Sequence, residues 1–338
     1  MSKRILKELG KTIRHYARKV VLPASLAMLC IAPNCVYAYD TEVNEWKNVQ
    51  IVGGGMITGV VFSEAEEDLI YARTDMGGIY RWQPDSETWK PLTDWVGPEI
   101  WSNLGCDGIA TDPSDPNRVY ALMGEYDNGW TDVKGAVFCS DDKGETWTVS
   151  ELPFFCASNQ QGRLMDARLT VDPNNSAILY LGSRNDGLWK SEDYGQTWNQ
   201  VTSFDIEGDF LYDKGTVYEG HLGITFVLCD KNSNVSGKGS QTIYVGIGNK
   251  EHSIYKTTDG GNTWAPLADE PRGKIVDEAT QSWEIQDGDT YLPQQAYLTK
   301  DGMLYVTYAT EAGPYASGYG DVWKYNTNTE EWKLVSPV

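Results

Sequence analysis

The stretch YARTDMGGIYRW (71–82) places one carboxylate, Asp75, two residues after an arginine and shortly before two glycines. The flanking runs, rich in Ile, Tyr and Trp, read as strands, so 74–78 reads as a turn. Such a turn calls for Gly, and Asp is one of several residues that suit it. Asp75 is therefore either a turn residue or a carboxylate placed there to do chemistry. Other chemistries have less material. The chain has 3 His, and His221 and His252 lie far apart, which leaves little for a His-based metal site or a Ser/His/Asp triad. The spacing of Cys106, Cys139, Cys156 and Cys229 matches no zinc pattern, and these residues read either as disulfides or as free thiols. With 48 Asp and Glu against 28 Lys and Arg, carboxylates are the abundant reactive groups. No metal and no cofactor is expected.

The first 38 residues stand apart. Lys3, Arg4, Lys7, Lys11, Arg14, Arg18 and Lys19 precede the apolar run VVLPASLAMLCIA, and Val36-Tyr37-Ala38 has the small residues of a cleavage site. The run is too short to span a bilayer, and 1–38 reads as a secretory signal peptide. A secreted protein starting near Tyr39 and not held in a membrane is expected. Removing the segment lowers Lys+Arg from 28 to 21 and Asp+Glu from 48 to 47, which takes the net charge from −20 to −26. A surface that acidic repels nucleic acid and anionic lipid and suits a neutral or cationic partner.

The elements that hold Asp75 are visible as a repeat. SDDKGETW (140–147), SEDYGQTW (191–198) and TTDGGNTW (257–264) share the pattern Ser/Thr-x-Asp-x-Gly-x-Thr-Trp, and QPDSETW (83–89) and NTNTEEW (326–332) are worn copies. This is the Asp-box of several propeller families. Each copy closes a unit of short strands rich in Tyr, Ile, Val and Trp, separated by Gly/Asn/Asp/Pro turns. The fold expected is all-β: a β-propeller lobe over 39–338, of four-stranded antiparallel blades near 59–93, 108–150, 168–202, 223–267 and 296–336. A single blade cannot bury both its faces, so neighbours must stack.

With strands a to d running outward, the a–b and c–d turns share one face. The b–c turns and d–a connections share the other. The Asp-boxes are c–d turns, so Asp142, Asp193 and Asp259 read as turn-building residues and Trp89, Trp147, Trp198, Trp264 and Trp332 as core. Asp75 lies in a b–c turn on the opposite face. The long connections 94–108, 150–168, 202–222 and 265–295 reach that face with Trp95, Trp101, Arg163, Arg168, Tyr218 and His221. The second b–c turn adds Tyr126, Asp127, Asn128 and Trp130. Long loops on one rim of a rigid scaffold carry function. Aromatic rings with carboxylates suit a sugar chain, although Trp101 and Trp130 could equally pack between blades and Arg163 and Arg168 could pair with surface carboxylates.

Several segments together, GGGMITGVVFSEAEEDLIYARTDMGGIYRW, IATDPSDPNRVYALMGEYDNGW, LTVDPNNSAILYLGSRNDGLWKSEDYGQTW, QTIYVGIGNKEHSIYKTTDGGNTW and DGMLYVTYATEAGPY, resemble the amino-terminal lobe of glycoside hydrolase family 74, the xyloglucanases and oligoxyloglucan hydrolases. The resemblance runs in order through 46–338. It implies two seven-bladed propellers with a substrate cleft between them, and cleavage of a β-1,4-glucan backbone with inversion by two aspartates. The family motif YAR-x-D-x-GG falls on Tyr71 to Gly78 and makes Asp75 the general base. Trp101, Tyr126, Asn128, Trp130, Arg163, Gln294 and Gln295 are then the substrate-binding candidates, with Gln294-Gln295 standing where the family tends to have a His pair. The general acid belongs to the family's carboxy-terminal lobe, so the chain is expected to be inactive by itself on its polysaccharide partner.

The repeat count agrees with an incomplete lobe. Trp46, Trp89, Trp147, Trp198, Trp264 and Trp332 mark more outer strands than there are a-b-c triplets, and the chain reads as about five blades of a longer lobe, truncated or a fragment. Two other readings stand beside this one: a non-catalytic glycan-binding or assembly-factor Asp-box propeller, and a sialidase. The sialidase lacks support, because 39–338 holds few arginines, has no Phe/Tyr-Arg-Ile-Pro motif and is acidic.

Overall fold

The computed structural model describes residues 53–165, 168–217, 219–277, 282–284, 291–314 and 318–336. Within them five four-stranded antiparallel sheets follow one another as propeller blades. Blade 1 is Ile57–Phe62, Ile70–Thr74, Ile79–Gln83 and Thr88–Pro91. Blade 2 is Cys106–Thr111, Val119–Met123, Ala136–Ser140 and Thr148–Glu151. Blade 3 is Leu169–Val171, Leu179–Gly182, Leu188–Ser191 and Asn199–Gln200. Blade 4 is Ile224–Cys229, Ile243–Ile247, Ile254–Thr257 and Ala265–Pro266. Blade 5 is Leu292–Leu298, Met303–Ala309, Gly320–Asn326 and Glu331–Leu334. The a strand bears a register shift near its start in blades 1, 2, 4 and 5. Such bulges re-aim the chain where it enters the blade from the rim that carries Asp75.

Side chains alternate across a strand, and that alternation builds the core. In blade 2, Val119, Ala121, Met123 and Phe138 join the cluster shared with blade 1 (Tyr71, Ile79). Their neighbours Tyr120 and Leu122 join the cluster shared with blade 3 (Leu169, Leu179, Leu181). Two further clusters lie between blades 3 and 4 and between blades 4 and 5. The middle strands are therefore buried on both faces, and read as continuous apolar runs. The outer blades differ. In Met303–Ala309, Leu304, Val306 and Tyr308 are buried while Met303, Tyr305, Thr307 and Ala309 are half-exposed. In blade 1, Val60 and Phe62 are exposed, Phe62 by 67%.

The Asp-boxes are c–d turns, and all three complete copies use one bonding scheme. The Asp142 carboxylate accepts from the Ser140 hydroxyl (2.7 Å), the Thr146 amide (2.8 Å) and the Thr146 hydroxyl (2.6 Å). Asp193 does the same with Ser191 and Thr197, and Asp259 with Thr257 and Thr263. The box tryptophans are half-buried at blade boundaries rather than in the deep core: Trp147 Nε1 donates to the Leu92 carbonyl of blade 1, and Trp332 Nε1 to the Ala268 carbonyl beside blade 4.

The connections are more structured than the sequence suggests. A 3-10 helix occupies Pro98–Leu104, and small hairpins pair Leu211–Tyr212 with Gly220–His221 and Lys274–Asp277 with Ser282–Glu284. The a strand of blade 5 starts at Leu292, so Gln294 and Gln295 lie in a strand and not in the preceding connection. All four described cysteines are free thiols. No helix among the described residues is long and apolar enough to cross a membrane.

Candidate functional site around Asp75

The turn that carries Asp75 is closed by other residues. Thr74 N donates to the Gly78 carbonyl (3.1 Å), the Thr74 hydroxyl donates to the same carbonyl (2.7 Å), and Gly77 N donates back to the Thr74 hydroxyl (2.8 Å). Gly78 has φ +86°, and a Cβ at Gly77 would stand 1.7 Å from the Gly54 carbonyl oxygen. The two glycines thus serve a left-handed turn position and the close passage of the 53–56 segment. Arg73 holds the strand end from below: it donates to the carbonyls of Asp107 (2.8 Å) and Met165 (2.7 Å), tying blade 1 to blade 2 and its outgoing connection.

Asp75 itself makes no bond within its turn. Its Oδ1 accepts from Met56 N (2.7 Å), and its Oδ2 lies 3.6 Å from Arg163 Nη1. The residue is 5% exposed. Arg163 comes from the connection after blade 2. It is as buried as Asp75, so it pairs with the candidate carboxylate and not with a surface carboxylate, and it is not an exposed sugar contact. Arg168, expected on the same rim, is also buried, paired with Asp107 at 3.5 Å in a hub where Arg73 and Arg184 also meet Asp107. Burial inside this cluster, with Arg184 beside it, pushes the Arg168 guanidinium down to about 9.

A chain of polar groups leads from this pair to the surface. Arg163 donates to Asn159 Oδ1, and Asn159 Nδ2 donates to the Tyr126 hydroxyl (2.7 Å). The Ser158 hydroxyl donates to the Asp75 carbonyl (2.6 Å). Tyr126 sits between Trp101 and Trp130, with ring centroids at 6.3 and 5.1 Å. Trp101 is 39% and Trp130 54% exposed. The three rings pack on one another and still present their outer faces to solvent on Asp75's rim. Asn128 braces the turn, accepting from Trp130 N at 3.1 Å, while its buried Nδ2 has no hydrogen-bond partner.

The remaining candidates separate. Gln295 reaches the Leu164 carbonyl, next to Arg163, at 3.3 Å, whereas the Gln294 amide is occupied by the Glu311 carbonyl at 3.1 Å. Trp95 does not join the aromatic group: its ring packs 5.1 Å from Phe138 of blade 2. His221 is exposed in its hairpin, near the Gly208 carbonyl. Asp127 lies 3.4 Å from the Asn185 amide. Trp46, Tyr218, the leader-like 1–38 segment and Asp166, a further carboxylate of the 150–168 connection, lie outside the described residues. Among the described residues no group of three or more His, Cys, Asp or Glu is placed to hold a metal ion.

Three participants were not legible in the sequence: Ser158, Asn159 and Glu125. Glu125 follows the second b strand and is 4% exposed. Burial, with the charge of Asp75 adding to it, pushes its carboxyl up to about 7. A carboxylate free of its own turn, a buried guanidinium that fixes it, and an aromatic surface alongside can orient a water and accept its proton while a sugar ring stacks on the rings.

No family model matches the chain. Among curated proteins, a xyloglucanase of a Paenibacillus species is 44% identical over 334 residues, covering 98% of this chain and 31% of that protein. Xyloglucanase Xgh74A of Acetivibrio thermocellus is 46% identical over 298 residues, covering 87% of this chain and 33% of its own length. Among solved structures, the glycoside hydrolase family 74 xyloglucanase from Xanthomonas campestris superposes with a TM-score of 0.76 at 36% identity, covering 87% of this chain and 39% of that one. The chain thus spans about a third of the length of the curated relatives it matches.

Proposed function

Nearly the whole chain is homologous to a segment of the glycoside hydrolase family 74 xyloglucanases, and from that premise we propose that it works as part of a secreted hydrolase of plant cell-wall β-1,4-glucan, with xyloglucan as the polysaccharide. Asp75 is its general base. It takes a proton from the water that attacks the anomeric carbon, with inversion. A new C–O bond forms on one face of the sugar as the glycosidic C–O bond breaks on the other, and the leaving oxygen takes its proton from a carboxylic acid roughly 6.5–9.5 Å from the base. The acid comes from a second lobe. Trp101, Tyr126 and Trp130 form the platform on which glucosyl rings stack, and Gln295, which reaches the Leu164 carbonyl beside Arg163, is a further sugar contact. Export rests on the leader-like 1–38 segment.

The observation that supports this reading best is the independence of Asp75 from its own turn, combined with its pairing to buried Arg163. The test is turnover. With the chain joined to the remaining two thirds of a family 74 relative, reducing-sugar release from xyloglucan is expected, and Asp75→Asn lowers it by a factor of about 10² or more without loss of binding. Undiminished turnover in the variant removes Asp75 from the mechanism. Strong turnover by the 1–338 chain alone would put the acid inside it, with Asp127 the described candidate.

A further inference from the structure

Glu125 and Asp75 project from neighbouring b–c turns into one buried place. Gly105 marks how tightly they converge: a Cβ there would stand 2.5 Å from Glu125 Cγ, 2.5 Å from the Asp75 carbonyl oxygen and 2.0 Å from Ser158 Oγ. The backbone of Glu125 is held on both sides, its N–H toward Ser102 Oγ (3.4 Å) and its carbonyl by Asn159 N (3.1 Å). Its carboxyl is not met by a cation: among the described residues no Lys, Arg or His forms an ion pair with it, while Arg163 faces Asp75. The elements packed around it present Ser102, Ser158 and Asp75. Tyr126 and Asp127 follow it in its own turn, and Asp75 is the charge that acts on it.

We propose that Glu125 is a positioning residue of the Asp75 centre: a carboxyl that keeps its proton, so that Asp75 is the carboxylate anion paired with Arg163, and whose ionisation sets the upper pH of the intact site. The proposal rests on reading Asp75 as the reacting carboxylate. The physical reason is that a buried carboxylate without a cation is costly, and one placed beside a second anion more so. Two carboxyl groups sharing a small site cannot both ionise freely, and their titrations become linked. Burial, and then the charge of Asp75, push the Glu125 carboxyl up to about 7. Above that, a second negative charge enters a site with one guanidinium, and the Asp75–Arg163 geometry loosens.

Carboxyl-carbon NMR on the 338-residue chain, labelled at Asp and Glu, tests this without any turnover. The Glu125 signal is expected to titrate near neutrality, and the Asp75 signal to show a small second step at the same midpoint. Asp75→Asn should lower the Glu125 midpoint by about half a pH unit or more, leaving the part due to burial. Glu125→Gln, which keeps the shape of a protonated carboxyl, should remove the second step from Asp75 and leave Asp142 unmoved. A Glu125 signal in the ordinary carboxylate range, or one indifferent to Asp75→Asn, would overturn the proposal. If either variant fails to fold, the native titration decides, because the absence of the second step in the Asp75 signal overturns it equally. Linkage present with turnover intact in Asp75→Asn would retire the base and keep the pair. Linkage absent with turnover lost would do the reverse.

Discussion

Asp142 and Asp75 occupy turns at opposite ends of the same kind of blade, yet their carboxylates are used in opposite ways. Asp142 spends its oxygens on Ser140 and Thr146, within its own turn, and lies half-exposed. Asp75 leaves its turn to Thr74 and two glycines, and offers its oxygens to Met56 and Arg163, which arrive from elsewhere in the chain. A carboxylate bonded by its own turn is fixed and saturated, and local hydrogen bonds hold its proton affinity down: Thr263 and Thr257 take Asp259 to about 2. A carboxylate released from its turn is available to something else. The difference separates an aspartate that builds the scaffold from one the scaffold carries.

The sharpest way to break that contrast is at Arg163. Replacing it with Met leaves the Asp75 carboxylate buried without its cation, and breaking a buried pair from one side costs about 3 kcal/mol. Urea unfolding should show a loss of that size, and Asp75→Asn added to Arg163→Met should restore part of it, because the second change removes the stranded charge. Losses that simply add would mean that the 3.6 Å approach is not an energetic pair.

The Asp-box side predicts a smaller loss. Asp142→Ala removes three hydrogen bonds from one exposed turn, for about 1–2 kcal/mol by the same measurement. In the joined protein it should leave xyloglucan turnover within about twofold. Lost turnover with an intact fold would erase the distinction between the two turns.

The pH dependence should also run in opposite directions. The box carboxyls have folded-state proton affinities below their unfolded values, so their contribution is present above the unfolded carboxylate range and disappears as the pH falls through the lowered folded values, for Asp259 about 2. Glu125 is raised from 4.5 to about 7, so its contribution is complete below about 4.5 and is lost as the pH rises through 7. Melting temperature against pH should therefore lose its decline between about 4.5 and 7 in Glu125→Gln and keep it in Asp142→Asn. An unchanged decline in Glu125→Gln would mean that Glu125 is not its source.

The smallest effects belong to the rings. Trp130→Ala and Trp101→Ala should each weaken retention in xyloglucan gels by about 1 kcal/mol, with the more exposed Trp130 losing more to the sugar and less to the fold. Equal mobility of both variants and the native chain would make the trio of rings a packing group only.

Much of the scaffold was legible before any coordinates. The Ser/Thr-x-Asp-x-Gly-x-Thr-Trp repeats announce the c–d turns because the bonds that make such a turn are local, between residues two to four apart. Short strands rich in Tyr, Ile, Val and Trp, and turns at Gly, Asn, Asp and Pro, mark out the blades for the same reason. Their antiparallel order assigns Asp75 to the face opposite the boxes. The scarcity of His in the sequence likewise left little material for a His-based centre.

What tertiary structure alone decided is who meets Asp75. Arg163 lies in an irregular connection with no periodicity to read, and the register of that connection is set by packing between blades 2 and 3. The same holds for Ser158 and Asn159, ordinary polar residues in an unpatterned stretch. Glu125 stands beside predicted Tyr126, but its burial and its closeness to Asp75 depend on how one blade leans on the next, a distance that no spacing along the chain encodes. The two glutamines show the converse: a strand that starts at Leu292 occupies Gln294 with backbone and leaves Gln295 beside Leu164. Local hydrogen bonding is written in neighbouring residues, whereas burial and charge proximity arise from elements far apart in sequence, and it is these that turned one of many aspartates into a site.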